Sequence, residues 1–100
     1  MTDRKIIEKL VNEELAEANA NYPLFHSPHE AYAVLLEETD ELVEAVNVVT
    51  DNMAKMWDMI RQDGSIAREK EYIYSWAIDA ACEAIQCAAM CKKITQSDLR

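Results

Sequence analysis

The chain has 100 residues, half of them hydrophobic, and a formal net charge of −9. This length predicts one domain over residues 1–100, and the charge argues against nucleic acid and anionic membranes as partners, because both would repel an acidic surface. The sequence contains one glycine and two prolines, and no segment alternates polar and apolar residues with period two. We therefore expect an all-α fold of a few long helices.

The first two helices are predicted over about residues 3–20 and 28–62. Apolar residues recur at helical spacing in the first. The second helix has a strong start signal, which consists of an N-cap at Ser27, a first-turn proline at Pro28 and a capping-box partner at Glu30. Nothing in the sequence breaks this helix before Asp63-Gly64, so we expect one long continuous helix.

Gly64 is predicted to cap the second helix and to form the turn into a third helix over about residues 66–95. A turn this short makes the two helices antiparallel neighbours. The expected architecture is therefore a long antiparallel helical hairpin plus an N-terminal helix. Because so short a chain builds only a small core, we expect oligomerisation to complete the helix bundle.

Cysteine usage indicates a reducing compartment. Cys82, Cys87 and Cys91 are odd in number and match no zinc-binding pattern. The sequence has no targeting signal and no apolar stretch of membrane-spanning length. We expect free thiols that act as small core side chains in a cytoplasmic protein.

The most informative segment is Leu35–Leu42, where four carboxylates interrupt an apolar helical pattern. Glu38 and Glu41 fall about 60° apart on a helix, one turn along the same side. Glu38 also lies at the margin of the apolar stripe, where clustered negative charge needs a cation to be tolerated. This pattern favours a divalent metal site.

The third helix carries a matching polar row of Asp79, Glu83 and Gln86, which fall within about 60° of one another. Glu41 lies 23 residues before Gly64 and Glu83 lies 19 residues after it, so the two rows reach similar depth in the hairpin. Oxygen ligands of this kind suit Mg²⁺, or Mn²⁺, and do not suit zinc.

Other interpretations of these residues stay open. An acidic run is usually a solvated face, which is our interpretation of Asp40 and Glu44, and the polar row of the third helix could be its side toward water. A di-iron site is excluded, because it requires Glu-x-x-His pairs and neither His26 nor His29 follows a glutamate at that spacing.

Basic side chains near the acidic rows are candidates for phosphate binding. Lys92 and Lys93 follow Glu83 by two to three helical turns, and His29 lies in the first turn of the second helix. Lysines late in a helix also suit its dipole, and a surface histidine needs no special role. The aromatic side chains are expected in the core or at an interface, namely Trp57, Trp76, Tyr72 and Tyr74.

The segment from Glu37 to Glu41 reads Glu-Glu-x-x-Glu, which resembles the first metal motif of the MazG-like all-α nucleoside triphosphate pyrophosphohydrolases. The wider phrases 27–38 and 83–90 are similar to small phage and prophage-type members of that family, and the resemblance covers Ser27 to Lys93. The family's second motif is Glu-x-x-Asp. Here Glu83-Ala-Ile-Gln86 has an amide in place of the last carboxylate, and the separation between the two motifs is longer than usual.

The resemblance implies Mg²⁺-dependent hydrolysis of a nucleoside triphosphate to the monophosphate and pyrophosphate, in a homodimer or homotetramer. It makes Glu38, Glu41 and Glu83 metal ligands, with Asp79 or Gln86 supplying a further one. Glu37 would be a ligand or the base that orients the attacking water, so Glu37 and Glu38 are the candidate catalytic residues.

The amide at Gln86 supports a second hypothesis, which is a non-catalytic helical module for oligomerisation or for sensing nucleotide or metal, with a degenerate second motif. A third is an acidic partner protein that mimics nucleic acid. That role would spread the carboxylates over a surface, whereas the two rows here gather at one depth.

Overall fold

The computed structural model describes residues 1–99, and within them the chain forms three α-helices and no strand, which confirms the all-α fold class. The helices are α1 (Arg4–Asn21), α2 (Pro28–Arg61) and α3 (Ala67–Gln96). α2 is one continuous helix. Among these residues no helix combines the length and the apolar character needed to cross a bilayer.

The helix starts follow from local side-chain chemistry. The Asp3 side chain accepts a hydrogen bond from the backbone N–H of Lys5, and Ser27 Oγ accepts one from the N–H of Glu30 at 3.1 Å. These contacts satisfy backbone donors that have no partner inside the helix. Ser27 as the N-cap of α2 is thus confirmed.

The end of α2 is built differently from the prediction. The residue in the left-handed conformation is Asp63, with φ of 54°, and Gly64 has no positive φ. The N–H of Gly64 donates to the carbonyl of Met59 at 2.7 Å, and the N–H of Asp63 donates to that of Ile60. This pair of bonds is a Schellman motif, so Asp63-Gly64 forms the predicted C-terminal cap, with Asp63 and not Gly64 at the left-handed position.

α2 and α3 form the long hairpin, and α1 packs on α3. Asn19 bonds to Gln96 and Asn12 bonds to Lys92, so α1 runs parallel to α3 along its second half. Within residues 1–99 the backbone of α1 stays clear of α2. The gap between α1 and α2 therefore leaves room for a cavity, which residues of both helices line.

The loop between α1 and α2 closes one end of this cavity. Phe25 is 8% exposed, and its backbone N–H donates to Ser97 Oγ at 3.0 Å. The Lys93 ammonium lies over the Phe25 ring, 5.1 Å from its centroid. The loop is thus docked on the last turn of α3.

The hydrophobic core is small. Its buried hydrophobic residues within 1–99 include three alanines, and the set is Leu15, Phe25, Ala31, Ala45 and Ala89. Cys82 and Cys91 are exposed and only Cys87 is partly buried, so the expectation of three core thiols is wrong for two of them. The expectation of free thiols holds, since all three are unpaired.

Candidate metal centre

Three carboxylates from α2 and α3 meet in the helical hairpin. Glu38, Glu41 and Glu83 each offer one oxygen, and these three oxygens lie within 4.8 Å of one another. We call these residues the triad. It forms because Glu38 and Glu41 are one helical turn apart on α2 and Glu83 lies at the same depth on α3. The predicted meeting of the two acidic rows thus takes place through these three side chains.

Two carboxylate oxygens of the triad residues are buried without a hydrogen-bond donor. Oε2 of Glu38 and Oε2 of Glu83 are buried and have no hydrogen-bond partner within the described chain. Buried polar atoms in proteins are nearly always satisfied, and an orphan oxygen points to a missing ion or water. The donor set therefore fits a hard cation.

The spacing also suits such an ion. Opposite ligands of a Mg²⁺ ion lie about 4.2 Å apart, because each Mg–O bond is about 2.1 Å, and larger ions such as Ca²⁺ accept wider spacing. The triad oxygens, at up to 4.8 Å, need only a small side-chain adjustment to reach Mg²⁺ geometry. Three carboxylates leave room for water or phosphate oxygens to complete the shell.

The electrostatics of the triad favour protonation in the absence of a cation. Burial, and then the charges of Glu41 and Glu83, raise the pKa of Glu38 above its ordinary value of 4.5. The pKa of Glu83 is also raised, first by burial and then by a hydrogen bond and charge repulsion involving Glu41. Both shifts have the causes expected of crowded, partly desolvated carboxylates.

Cys87 adds a thiol one helical turn after Glu83. Its pKa is raised, first by burial and then by the charges of Glu38 and Glu83. The thiol therefore stays neutral beside the triad. A neutral thiol is a poor ligand for a hard ion, which leaves oxygen as the ligand chemistry of this site.

The remaining predicted residues have different positions. Asp79 is exposed and its charge raises the pKa of Glu83, but its carboxylate does not join the triad. Gln86 lines a separate cavity between α1 and α3. Glu37 is exposed next to the triad and its charge raises the pKa of Glu38.

The two lysines have different environments. Lys93 is 2% exposed and lines a cavity of about 380 Å³ that also has Glu38 on its wall. Neither an ion pair nor a side-chain hydrogen bond within residues 1–99 involves its ammonium. Lys92 instead donates to Asn12 Oδ1 at 2.5 Å, and His29 lies in a surface depression beside Pro28 and Tyr32. Lys93 is thus the predicted cation that shares a cavity with Glu38 of the triad.

α1 contributes acidic residues that the sequence analysis did not select. Glu14 and Glu17 line the same cavity as Glu38 and Lys93, and the charge of Glu14 raises the pKa of Glu38. A signal was present, because residues 13–17 read Glu-Glu-x-x-Glu, the same pattern as residues 37–41. That repeated pattern marks two of the three helices that line the cavity.

Comparison with known proteins adds no relative. No protein-family model, no curated protein and no solved structure matches this chain.

Proposed function

We propose that the protein is a Mg²⁺-dependent nucleoside triphosphate pyrophosphohydrolase, which converts an NTP or dNTP and water into the monophosphate and pyrophosphate. The observation that carries the proposal is the triad, since two of its buried oxygens lack a donor. The neighbouring cavity, which contains an unpaired buried lysine, supports a phosphorylated ligand. The Glu-Glu-x-x-Glu resemblance supplies the reaction class.

The proposal gives each residue a distinct role. Glu38, Glu41 and Glu83 would hold Mg²⁺, which neutralises phosphate charge and makes bound water more acidic. Lys93 binds a phosphate oxygen through its ammonium, as a charge-assisted hydrogen bond. Lys92 and His29 lie away from the triad, so the proposal assigns phosphate binding to Lys93.

The hydrolysis itself needs one proton acceptor. The oxygen of water forms a bond to phosphorus, the bridging P–O bond between the α and β phosphates breaks, and pyrophosphate leaves. Glu37, exposed at the edge of the triad, takes the proton from the attacking water. A positioned carboxylate is a common general base for such a proton transfer.

Pyrophosphate release from a panel of NTPs and dNTPs, with Mg²⁺ present, tests the proposal. Glu38→Gln and Glu41→Gln remove a metal ligand while keeping side-chain size, and we expect turnover to fall about 100-fold or more, as for loss of a main electrostatic contact. Glu44→Gln is the matched control, because Glu44 is an exposed carboxylate on the same helix. Full activity in Glu38→Gln would sink the assignment.

The position of Gln86 favours a second candidate, a module that binds metal or nucleotide without turnover. Gln86 lines a different cavity from Glu38, so the triad has no fourth protein ligand from that position. This candidate predicts that Mn²⁺ raises the melting temperature of the protein while no substrate of the panel releases pyrophosphate.

A further inference from the structure

A row of exposed apolar side chains runs along α2. We call it the outer stripe. Its members are 44% to 67% exposed, and they are Tyr32, Leu36, Val43, Val46, Met53, Trp57 and Ile60. Consecutive members are three, four or seven residues apart, and Thr39 and Thr50 occupy the two positions that complete the heptad pattern. An unbroken 3.5-residue repeat of this kind is typical of a coiled-coil seam.

The outer stripe is separate from the face of α2 that packs on α3. That inner face contains Ala31, Glu38, Ala45 and Asn52, which are buried or partly buried and recur every seven residues. Each lies one position before a residue of the heptad pattern, and one residue is about 100° of rotation. α2 therefore has two seams with the same seven-residue repeat. α3 packs on the inner face and leaves the outer stripe uncovered.

A single chain is too extended to enclose a complete hydrophobic core. Its radius of gyration is 17.3 Å and it is 56 Å long, whereas a compact chain of this length has a radius of gyration of about 13 Å. α1 lies beside α3 only from about Ala81 to Gln96. The half of the hairpin near Gly64 is thus two helices thick and lacks a covering layer within residues 1–99.

We propose that the outer stripe binds the outer stripe of a second copy of this chain, with the two α2 helices antiparallel. A twofold axis between Glu44 and Ala45 relates six of the seven members of the stripe in pairs, at positions 32 and 57, 36 and 53, and 43 and 46. This axis places each half of the stripe on the other half. This self-complementarity is the requirement for a closed dimer.

Charge selects the antiparallel orientation. Residues 28–44 of α2 contain six carboxylates and no lysine or arginine, whereas residues 45–61 contain Asp51, Asp58, Lys55 and Arg61. Parallel packing would place the six carboxylates beside the same six of the partner. Antiparallel packing places them beside the half of zero net charge, which contains both cations of the helix.

The apolar area is sufficient for a stable dimer. Seven large side chains that are about half exposed offer roughly 700 Å² per chain, at roughly 100 Å² each. Two copies would bury about 1,400 Å² in total, within the range of about 1,200–2,000 Å² that stable interfaces bury. A partner of this size also covers the thin half of the hairpin.

Sedimentation equilibrium of the full chain tests the association. We expect a mass of twice the 11.4 kDa chain. Val46→Glu buries one charge from each chain beside the symmetry axis and should dissociate the pair. Ser75→Glu, which adds the same charge at an exposed position of α3, should leave the mass unchanged. A wild-type mass of 11.4 kDa up to about 100 μM, a concentration at which a stable interface is populated, would overturn the proposal.

Disulfide trapping tests the orientation and does not require a folded monomer. Tyr32→Cys and Trp57→Cys chains are mixed and mildly oxidised, and the joined peptides are identified by mass spectrometry so that the three native thiols are recognised. We expect a bond between positions 32 and 57 of different chains. A larger assembly with the same bond also supports the interface, whereas bonds between two copies of position 32 refute the antiparallel arrangement.

Discussion

Glu38 and Glu83 belong to opposite helices of the hairpin, and each buries a carboxylate oxygen that has no donor. Their ligand oxygens lie within 4.8 Å of each other and of Glu41. Without a cation this arrangement costs stability, because like charges repel in a partly desolvated space. A bound cation would offset this cost.

Glu38→Gln should stabilise the metal-free protein. The substitution removes one of three crowded charges and supplies amide N–H donors to the remaining carboxylates. We expect a gain of about 1 kcal/mol, which corresponds to about 4–8 °C in Tm for a chain of this size. Thermal unfolding in EDTA measures this gain in stability. Glu44→Gln is the control, and its Tm should equal that of the wild type. A lower Tm for Glu38→Gln would mean that Glu38 makes a stabilising contact in the metal-free state.

The stability of the metal-free protein should depend on pH through the same groups. The pKa values of Glu38 and Glu83 are raised above 4.5 in the folded protein, so the folded state holds protons that the unfolded state has released. Their contribution is fully present below pH 4.5 and is lost as the pH rises through the raised pKa values.

The difference in Tm between Glu38→Gln and wild type, measured in EDTA, isolates this effect from the other acidic residues. We expect the difference to be small near pH 4.5 and to grow toward pH 8. A difference that is constant over this range would show that the triad does not titrate as its raised pKa values require.

Mn²⁺ and Mg²⁺ should stabilise the protein through the triad. A ligand at 100 times its dissociation constant adds about 2.7 kcal/mol to the free energy of unfolding. We expect Tm to rise with ion concentration and EDTA to reverse the rise. Glu41→Gln should abolish it, while Asp40→Asn, which changes an exposed carboxylate next to Glu41, should not. An equal rise in all three proteins would indicate nonspecific screening of the net charge.

Much of the fold was predictable from local signals. The Ser27 N-cap and the helical period define α2, and a short turn makes α2 and α3 antiparallel. Once two helices are antiparallel, counting residues from the turn fixes which side chains face each other. Counting from Gly64 therefore predicts that Glu38 and Glu41 lie opposite Glu83.

The surroundings of the triad were not predictable in this way. Lys92 and Lys93 are about 100° apart on α3, and which of them enters the cavity depends on the rotation of α3 against α1 and α2. The position of α1 depends in turn on the loop contact between Phe25 and Ser97. Such contacts between distant segments have no periodic signal, so Glu14 and Glu17 were missed.

Lys93→Met should weaken nucleotide binding specifically. Methionine keeps much of the apolar stem over Phe25 and removes the ammonium. Loss of a hydrogen bond to a charged group costs about 1.5–3 kcal/mol, so we expect KM to rise about 10- to 100-fold. Lys92→Met is the matched control, because Lys92 contacts Asn12 instead. Steady-state kinetics of pyrophosphate release separate KM from kcat, and equal KM values for the two variants would exclude phosphate binding by Lys93.

Asp63→Gly should stabilise the hairpin turn. Asp63 has φ of 54°, a conformation that costs a residue with a Cβ atom about 1 kcal/mol and costs glycine little. The Schellman bonds from Asp63 and Gly64 to the end of α2 use backbone atoms alone and should survive the change. We expect Tm to rise by about 2–6 °C. Gly64→Ala is the opposing control, because an added Cβ would lie 2.5 Å from Met59 Cε and force that side chain to move. An unchanged or lower Tm in Asp63→Gly would show that the Asp63 side chain stabilises the turn by more than its backbone strain costs.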